Sequence, residues 1–151
     1  MIPRRVCRLS VDNRTGTEGM TEENIRNMNT TALAFLGDAV YEVYVRQHVL
    51  EQEKVHVDRL HRLAVKYVRA DGQARVVKRL LAEGLLTEEE QGLVKRARNH
   101  KSASKPKNAD PVAYKLATAF EALLGFLHLR EETDRLEEII RFAFTVTEEK
   151  P

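Results

Sequence analysis

The sequence predicts an all-α domain, a helical bundle, on three observations. No stretch sustains the apolar–polar alternation of a half-buried strand, whereas apolar residues recur at helical spacing along most of the chain. Helix-start chemistry appears at separate points: Thr87-Glu-Glu-Glu90 reads as a capping box, and Asp110-Pro111 as an N-cap followed by proline where no N–H is required. Two segments, 32–45 and 116–127, are apolar around nearly their whole circumference, the pattern of helices buried centrally or lying in an interface.

Residues 1–19 are polar, contain glycine and lack periodicity, so they read as a disordered N-terminal extension, with Met20 a candidate natural start. The domain is expected over residues 20–147. Asn29 or Thr30 caps a long helix that runs to about Leu50. A second helix covers Val57 to about Ala70. A third runs from Asp71 to Ala82, carrying Val76, Val77, Leu80 and Leu81 at helical spacing, and Gly84 ends it. The capping box opens a helix to about Arg98. Residues 99–109, rich in Lys, Ser and Pro, form a loop. Asp110 caps a helix that reaches about Leu129, a last helix spans about Glu132 to Phe144, and residues 148–151 are expected to be a disordered tail.

A length of 151 residues fits one domain, and a hydrophobic fraction of 42 % argues against a disordered chain. No uninterrupted apolar run approaches the roughly 18–20 residues needed to cross a bilayer, and the start at Met1 lacks the apolar core of a signal peptide. The single Cys7 cannot close an intrachain disulfide, so a reducing, cytoplasmic setting is expected. The net charge of +2 hides an asymmetry. Between Val94 and Ala109 lie six basic residues, His100 and no acid, while Glu131 to Lys150 carries seven acids against three bases. Such a division suits one surface to a polyanion.

The chemistry centres on two acids. Asp38 falls on the arc between Ala34, Val45 and Val49, away from the narrow polar face of Glu42 and Arg46, and is expected to be buried. A carboxylate there must be paired, protonated or bound to a metal. Glu121 is the one acid in the second apolar segment, with Ala117, Leu124, Gly125 and His128 on its arc. Gly37 and Gly125 each cost roughly 1 kcal/mol against alanine inside a helix, so a close crossing of the two helices is expected, which brings Asp38 to Glu121. Two carboxylates without a strong cation in either helix suit Mg²⁺, which keeps several waters and takes one or two protein carboxylates. The alternative is structural: the acids pair with Arg62, Lys66 or Arg69.

Leu33-Ala-Phe-Leu-Gly-Asp-Ala-Val40 resembles the signature of the ribonuclease III family, and Phe120-Glu-Ala-Leu-Leu-Gly125 resembles its second acidic motif. His61 to Val68 lies where that family has its intervening helix. Arg96-Ala-Arg-Asn-His-Lys-Ser102 and Pro106-Lys-Asn-Ala-Asp110 strengthen the likeness to the compact Mini-ribonuclease III branch, which lacks a C-terminal double-stranded-RNA-binding domain. The resemblance covers about residues 24 to 145 and departs from the full-length family at two places. Ala34 and Thr118 stand where that family has further carboxylates, a thinning the compact branch shares, so one Mg²⁺ per subunit is the simpler expectation.

The resemblance implies a ribonuclease III endonuclease-like bundle and a symmetric homodimer with Phe35, Leu36 and Val40 at the interface. It implies Asp38 and Glu121 as catalytic and metal-binding residues, with Mg²⁺ as cofactor and Mn²⁺ as a substitute. It implies cleavage of double-stranded RNA to 5′-phosphate and 3′-hydroxyl ends, in maturation of 23S ribosomal RNA, with a ribosomal protein on the substrate as a possible partner and no membrane. A-form duplexes present phosphates and 2′-hydroxyls, so a reader of shape needs cations and small polar groups. Arg96, Arg98, Asn99, His100, Lys101, Ser102, Lys105, Lys107 and Asn108 supply them. Lys66, Arg69 and Gln73 form a second possible contact row, Tyr114 and Lys115 are placed to touch substrate, and His128 is a candidate for proton transfer. Two other functions stay open: a non-catalytic double-stranded-RNA-binding assembly factor, motivated by Ala34 and Thr118, and a helical DNA-binding regulator.

Overall fold

The computed structural model describes residues 20–52, 56–101, 108 and 110–149, and among them the chain is all helical. In order these are α1 (Glu22–Arg26), α2 (Thr30–Gln52), α3 (Val57–Val68), α4 (Ala70–Ala82), α5 (Glu88–Asn99), α6 (Pro111–Leu129) and α7 (Thr133–Glu148).

Local chemistry sets most boundaries. Thr87 Oγ1 accepts from the Glu90 backbone N–H at 3.1 Å and the Glu90 carboxylate accepts from the Thr87 N–H at 3.1 Å, completing the capping box of α5. Asp110 Oδ1 accepts from Val112 N–H at 3.0 Å to open α6 at Pro111. Asn29 Oδ1 accepts from Thr31 N–H at 2.8 Å at the start of α2. At the end of α4, Gly84 takes φ 64° and Leu85 N–H reaches back to Leu80 C=O at 3.0 Å, a Schellman closure. The end of α6 repeats that closure with Glu131, not glycine, at φ 57°.

Three features differ from the sequence-based expectation. Helix α1 was not anticipated: Thr21 caps it by accepting from Asn24 N–H at 3.2 Å, and five residues give too short a window for periodicity. The break between α3 and α4 falls at Arg69, whose extended backbone (φ −61°, ψ 143°) separates the two helices. The expected tail boundary is corrected for two residues. Glu148 still lies in α7, where its carboxylate accepts from Tyr67 at 2.7 Å and meets His48 at 2.6 Å. Glu149 pairs with Arg79 at 2.7 Å. The proposed extension at 1–19 and residues 150–151 lie outside the described residues.

Helix α6 is the axis of the bundle, packed by α2, α4, α5 and α7. Ten of its residues are buried, Phe120, Leu123 and Leu124 completely. Each such side chain contributes roughly 1.5–3 kcal/mol relative to exposure. By length and composition α6 would suffice to cross a bilayer, where the sequence reading found no apolar run of that length. In this fold its apolar surface is covered by the surrounding helices. The α2–α6 crossing is as close as the two glycines predict. A methyl group at Gly37 would fall 1.7 Å from the Glu121 carbonyl oxygen, and one at Gly125 would fall 2.0 Å from that of Leu33. Neither position has room for any other residue.

Candidate active site

The glycine contact sets the site. Glu121 belongs to the very residue whose carbonyl lies against Gly37, and Asp38 is the next residue along α2. The two carboxylates thereby come close enough for the charge on Asp38 to act on Glu121. Burial first, and the Asp38 charge second, push the Glu121 carboxyl up to about 7. A hydrogen bond from the Gln73 side-chain amide opposes that rise. Among the described residues no cation forms a salt bridge with either acid, and Arg69, one of the structural alternatives, lies 3.4 Å from Asp71 instead.

The expectation that Asp38 is buried is corrected: it is exposed, while Glu121 is half-buried. Helix α2 is apolar on two opposite faces. One packs into the core through Leu33, Tyr41, Val45 and Val49, and the other leaves Phe35 84 % and Val43 65 % exposed. Of the three residues assigned to a subunit interface, Phe35 is free, Leu36 is half-buried, and Val40, only 8 % exposed, belongs to the chain's own core and is corrected on that ground.

The donor set is compatible with Mg²⁺. Two oxygen ligands that carry no competing cation match an ion that retains much of its water. No group of three or more His, Cys, Asp or Glu side chains converges among the described residues, in keeping with Ala34 and Thr118. Ala34 is itself buried in the core.

The basic segment is partly visible. Arg96, Arg98 and Asn99 are exposed on the last turns of α5. His100 and Lys101 follow and, with Thr31, Ala97, Tyr114, Lys115 and Thr118, line a cleft of about 230 Å³. Its wall on α6 includes Thr118, one helical turn before Glu121, so the cleft adjoins the acidic pair. Asn108 is exposed; Ser102, Lys105 and Lys107 lie outside the described residues.

Sequence reasoning misplaced one residue that matters. Gln73, read with Lys66 and Arg69 as a second possible contact row, is 1 % exposed. Its spacing to Val76, Val77 and Leu80 on α4 was the available signal, because those residues define the inward arc. His128, by contrast, is exposed.

The chain matches the Ribonuclease III domain family over residues 31–132. It is 45 % identical to a Mini-ribonuclease 3 of Thermoanaerobacter sp. (strain X514) over 133 residues, covering 88 % of this chain and 92 % of that one. It is 47 % identical to a Mini-ribonuclease 3 of Symbiobacterium thermophilum over 111 residues, covering 74 % and 84 % respectively. A crystal structure of a Fusobacterium nucleatum protein superposes with a TM-score of 0.70 at 31 % identity, over 81 % of this chain and 96 % of that chain.

Proposed function

The chain belongs to the ribonuclease III family, in its Mini-ribonuclease III branch, and is an endoribonuclease; from that premise we propose that it cuts double-stranded RNA with Mg²⁺ held between Asp38 and Glu121. The observation that carries this reading is the convergence of those two carboxylates, unpaired with any cation among the described residues, across a glycine contact that admits nothing larger. Asp38 and Glu121 hold the cation from opposite sides of the crossing. Bound there, Mg²⁺ supplies an activated water and neutralises charge on the scissile phosphate. Glu121 gives up its proton when it takes up the ion, since a carboxylate must be ionised to bind one.

The cations of α5 and of the adjoining cleft bind the phosphates of the duplex, and their contribution falls with salt. Products carry 5′-phosphate and 3′-hydroxyl ends. The exposed Phe35–Val43 face supports a symmetric homodimer, in which each subunit cuts one strand. Precursor 23S ribosomal RNA in the cytoplasm is the proposed substrate, with a ribosomal protein on that RNA as a possible partner. Mn²⁺ is expected to substitute for Mg²⁺.

The test incubates generic duplex RNA with the wild-type protein, Asp38→Asn and Glu121→Gln, with and without Mg²⁺. Cleavage by the wild type alone, dependent on metal and leaving 5′-phosphates, is the expected result. Full activity in both variants overturns the proposal. Ala34 and Thr118 favour a second reading, a non-catalytic double-stranded-RNA-binding assembly factor. Duplex binding in EDTA with no cleavage in Mg²⁺ or Mn²⁺ would establish it.

A further inference from the structure

Gln73 is the most deeply buried polar side chain near the acidic pair. It sits on the inward arc of α4, which packs directly against α6. Its Nε2 donates to the Val68 carbonyl at 3.2 Å, and the amide lies near enough to the Glu121 carboxylate to draw its pKa down. Its Oε1 is fully buried with no hydrogen-bond partner. Buried acceptors are seldom left unmatched, and a glutamine retained in an apolar arc for packing alone would be better replaced by methionine or leucine. The amide is therefore arranged around Glu121, with one acceptor to spare beside it.

We propose, building on the metal-dependent nuclease reading, that Gln73 is a positioning residue of the metal site. Its N–H fixes the rotamer of Glu121, and its free Oε1 accepts a hydrogen from water carried in on the cation. The bond to Val68 C=O anchors the amide to the end of α3, so the orientation of Glu121 is set by three helices: α3 through Val68, α4 through Gln73 and α6 through its own backbone. A partner of this kind is typical of ligating carboxylates, whose outer contacts usually matter tenfold to a hundredfold for affinity.

The experiment measures Mn²⁺ binding by electron paramagnetic resonance in the absence of RNA, alongside the Mg²⁺ concentration giving half-maximal cleavage. The proteins are the wild type, Gln73→Met, Glu121→Gln and the double variant. Methionine keeps the volume and removes both amide functions. Expected is a tenfold to hundredfold weaker ion affinity in Q73M, with an equal rise in the half-maximal Mg²⁺ concentration and an unchanged KM for RNA at saturating metal. Added to E121Q, the same change should weaken ion binding by much less than it does in the wild type, because most of its effect runs through Glu121. Wild-type affinity in folded Q73M overturns the inference, as does full additivity in the double variant. Should Q73M fail to fold, Gln73→Asn keeps an amide but shortens its reach, and folded Q73N is expected to show the same loss of affinity. Wild-type affinity in Q73N, or failure of both variants to fold, assigns Gln73 a structural role and ends the proposal. Failure of the wild type to bind Mn²⁺ or to cleave RNA would instead remove the nuclease reading itself.

Discussion

Glu121→Gln should abolish cleavage and at the same time stabilise the metal-free protein. Partial burial of Glu121 and the neighbouring Asp38 hold its carboxyl at about 7 against an ordinary 4.5. Below pH 4.5 the group is protonated in both folded and unfolded chains and contributes nothing. Between 4.5 and about 7 the unfolded chain ionises first, so stability falls as pH rises, and above 7 the loss is complete. At pH 8 that loss is about 3 kcal/mol. Glutamine has the same shape and no charge, and it still offers an oxygen to Gln73. Its extra N–H groups cost about 1 kcal/mol if one goes unpartnered, which leaves a net gain of about 2 kcal/mol. For a chain of this size that raises Tm by about 4–8 °C. The assay is differential scanning calorimetry in EDTA at fixed protein concentration. The gain should be full at pH 8 and turn into a deficit of about 1 kcal/mol by pH 4. Mg²⁺ should raise the Tm of the wild type and that of E121Q by much less, because one of the two ligating carboxylates is gone. An unchanged or lower Tm for E121Q at pH 8 would refute the account of Glu121 as a buried, electrostatically opposed ligand.

Gly37→Ala places a methyl group 1.7 Å from the Glu121 carbonyl oxygen, so the helices must separate; a loss of about 3 kcal/mol in urea unfolding is expected, larger than the helix-propensity gain of about 1 kcal/mol. Glu131→Gly removes a β-carbon from a left-handed backbone position, where it costs about 1–2 kcal/mol, and after glycine's greater unfolded-state entropy a gain of about 0.5 kcal/mol should remain in the same measurement, with cleavage unaltered. Phe35→Asp puts a charge on the exposed face of α2 and should convert a dimer to a monomer in analytical ultracentrifugation, without loss of helical circular dichroism. The triple change of Arg96, Arg98 and Lys101 to alanine should weaken duplex binding and flatten the slope of log affinity against log salt by roughly one unit per lost phosphate contact, whereas an unchanged slope would remove this segment from the interface.

Helix boundaries were legible because their causes are local. The Thr87–Glu90 box, Asp110 before Pro111 and Gly84 each act within a few residues, and each acts as the sequence implies. The α2–α6 crossing was legible for a different reason. A glycine inside an apolar helix is a local penalty, and two of them in two such helices make sense only together. The direction of α2 was less legible, because periodicity separates apolar from polar arcs but not a core-facing apolar arc from an exposed one. Leu33 and Phe35 look alike in sequence, yet one is buried and the other is among the most exposed side chains described. Asp38 shares the arc of Ala34, Val45 and Val49, all buried, yet its own side chain is exposed, a difference along one arc that periodicity does not register.

That misjudged exposure changes the chemistry expected of the pair. Two equally buried acids would oppose each other and share one proton between equivalent positions. Here the environments differ: Asp38 is exposed on α2, while Glu121 is half-buried on α6. Under the proposed function, proton release on ion binding would fall to Glu121, and the hydrated ion would approach from the open side that Asp38 occupies. The cleft of His100, Lys101 and Lys115 adjoins the pair along α6 through Thr118, so phosphate and cation would then enter neighbouring parts of one surface. Thr118 in place of a carboxylate has a consequence at that junction. Its hydroxyl donates to the Tyr114 carbonyl at 2.9 Å, which leaves the passage between cleft and metal ligands without a negative charge to repel the phosphate. Under the proposed function, Thr118 would thus add neither a ligand for the ion nor a charge against the phosphate at that position.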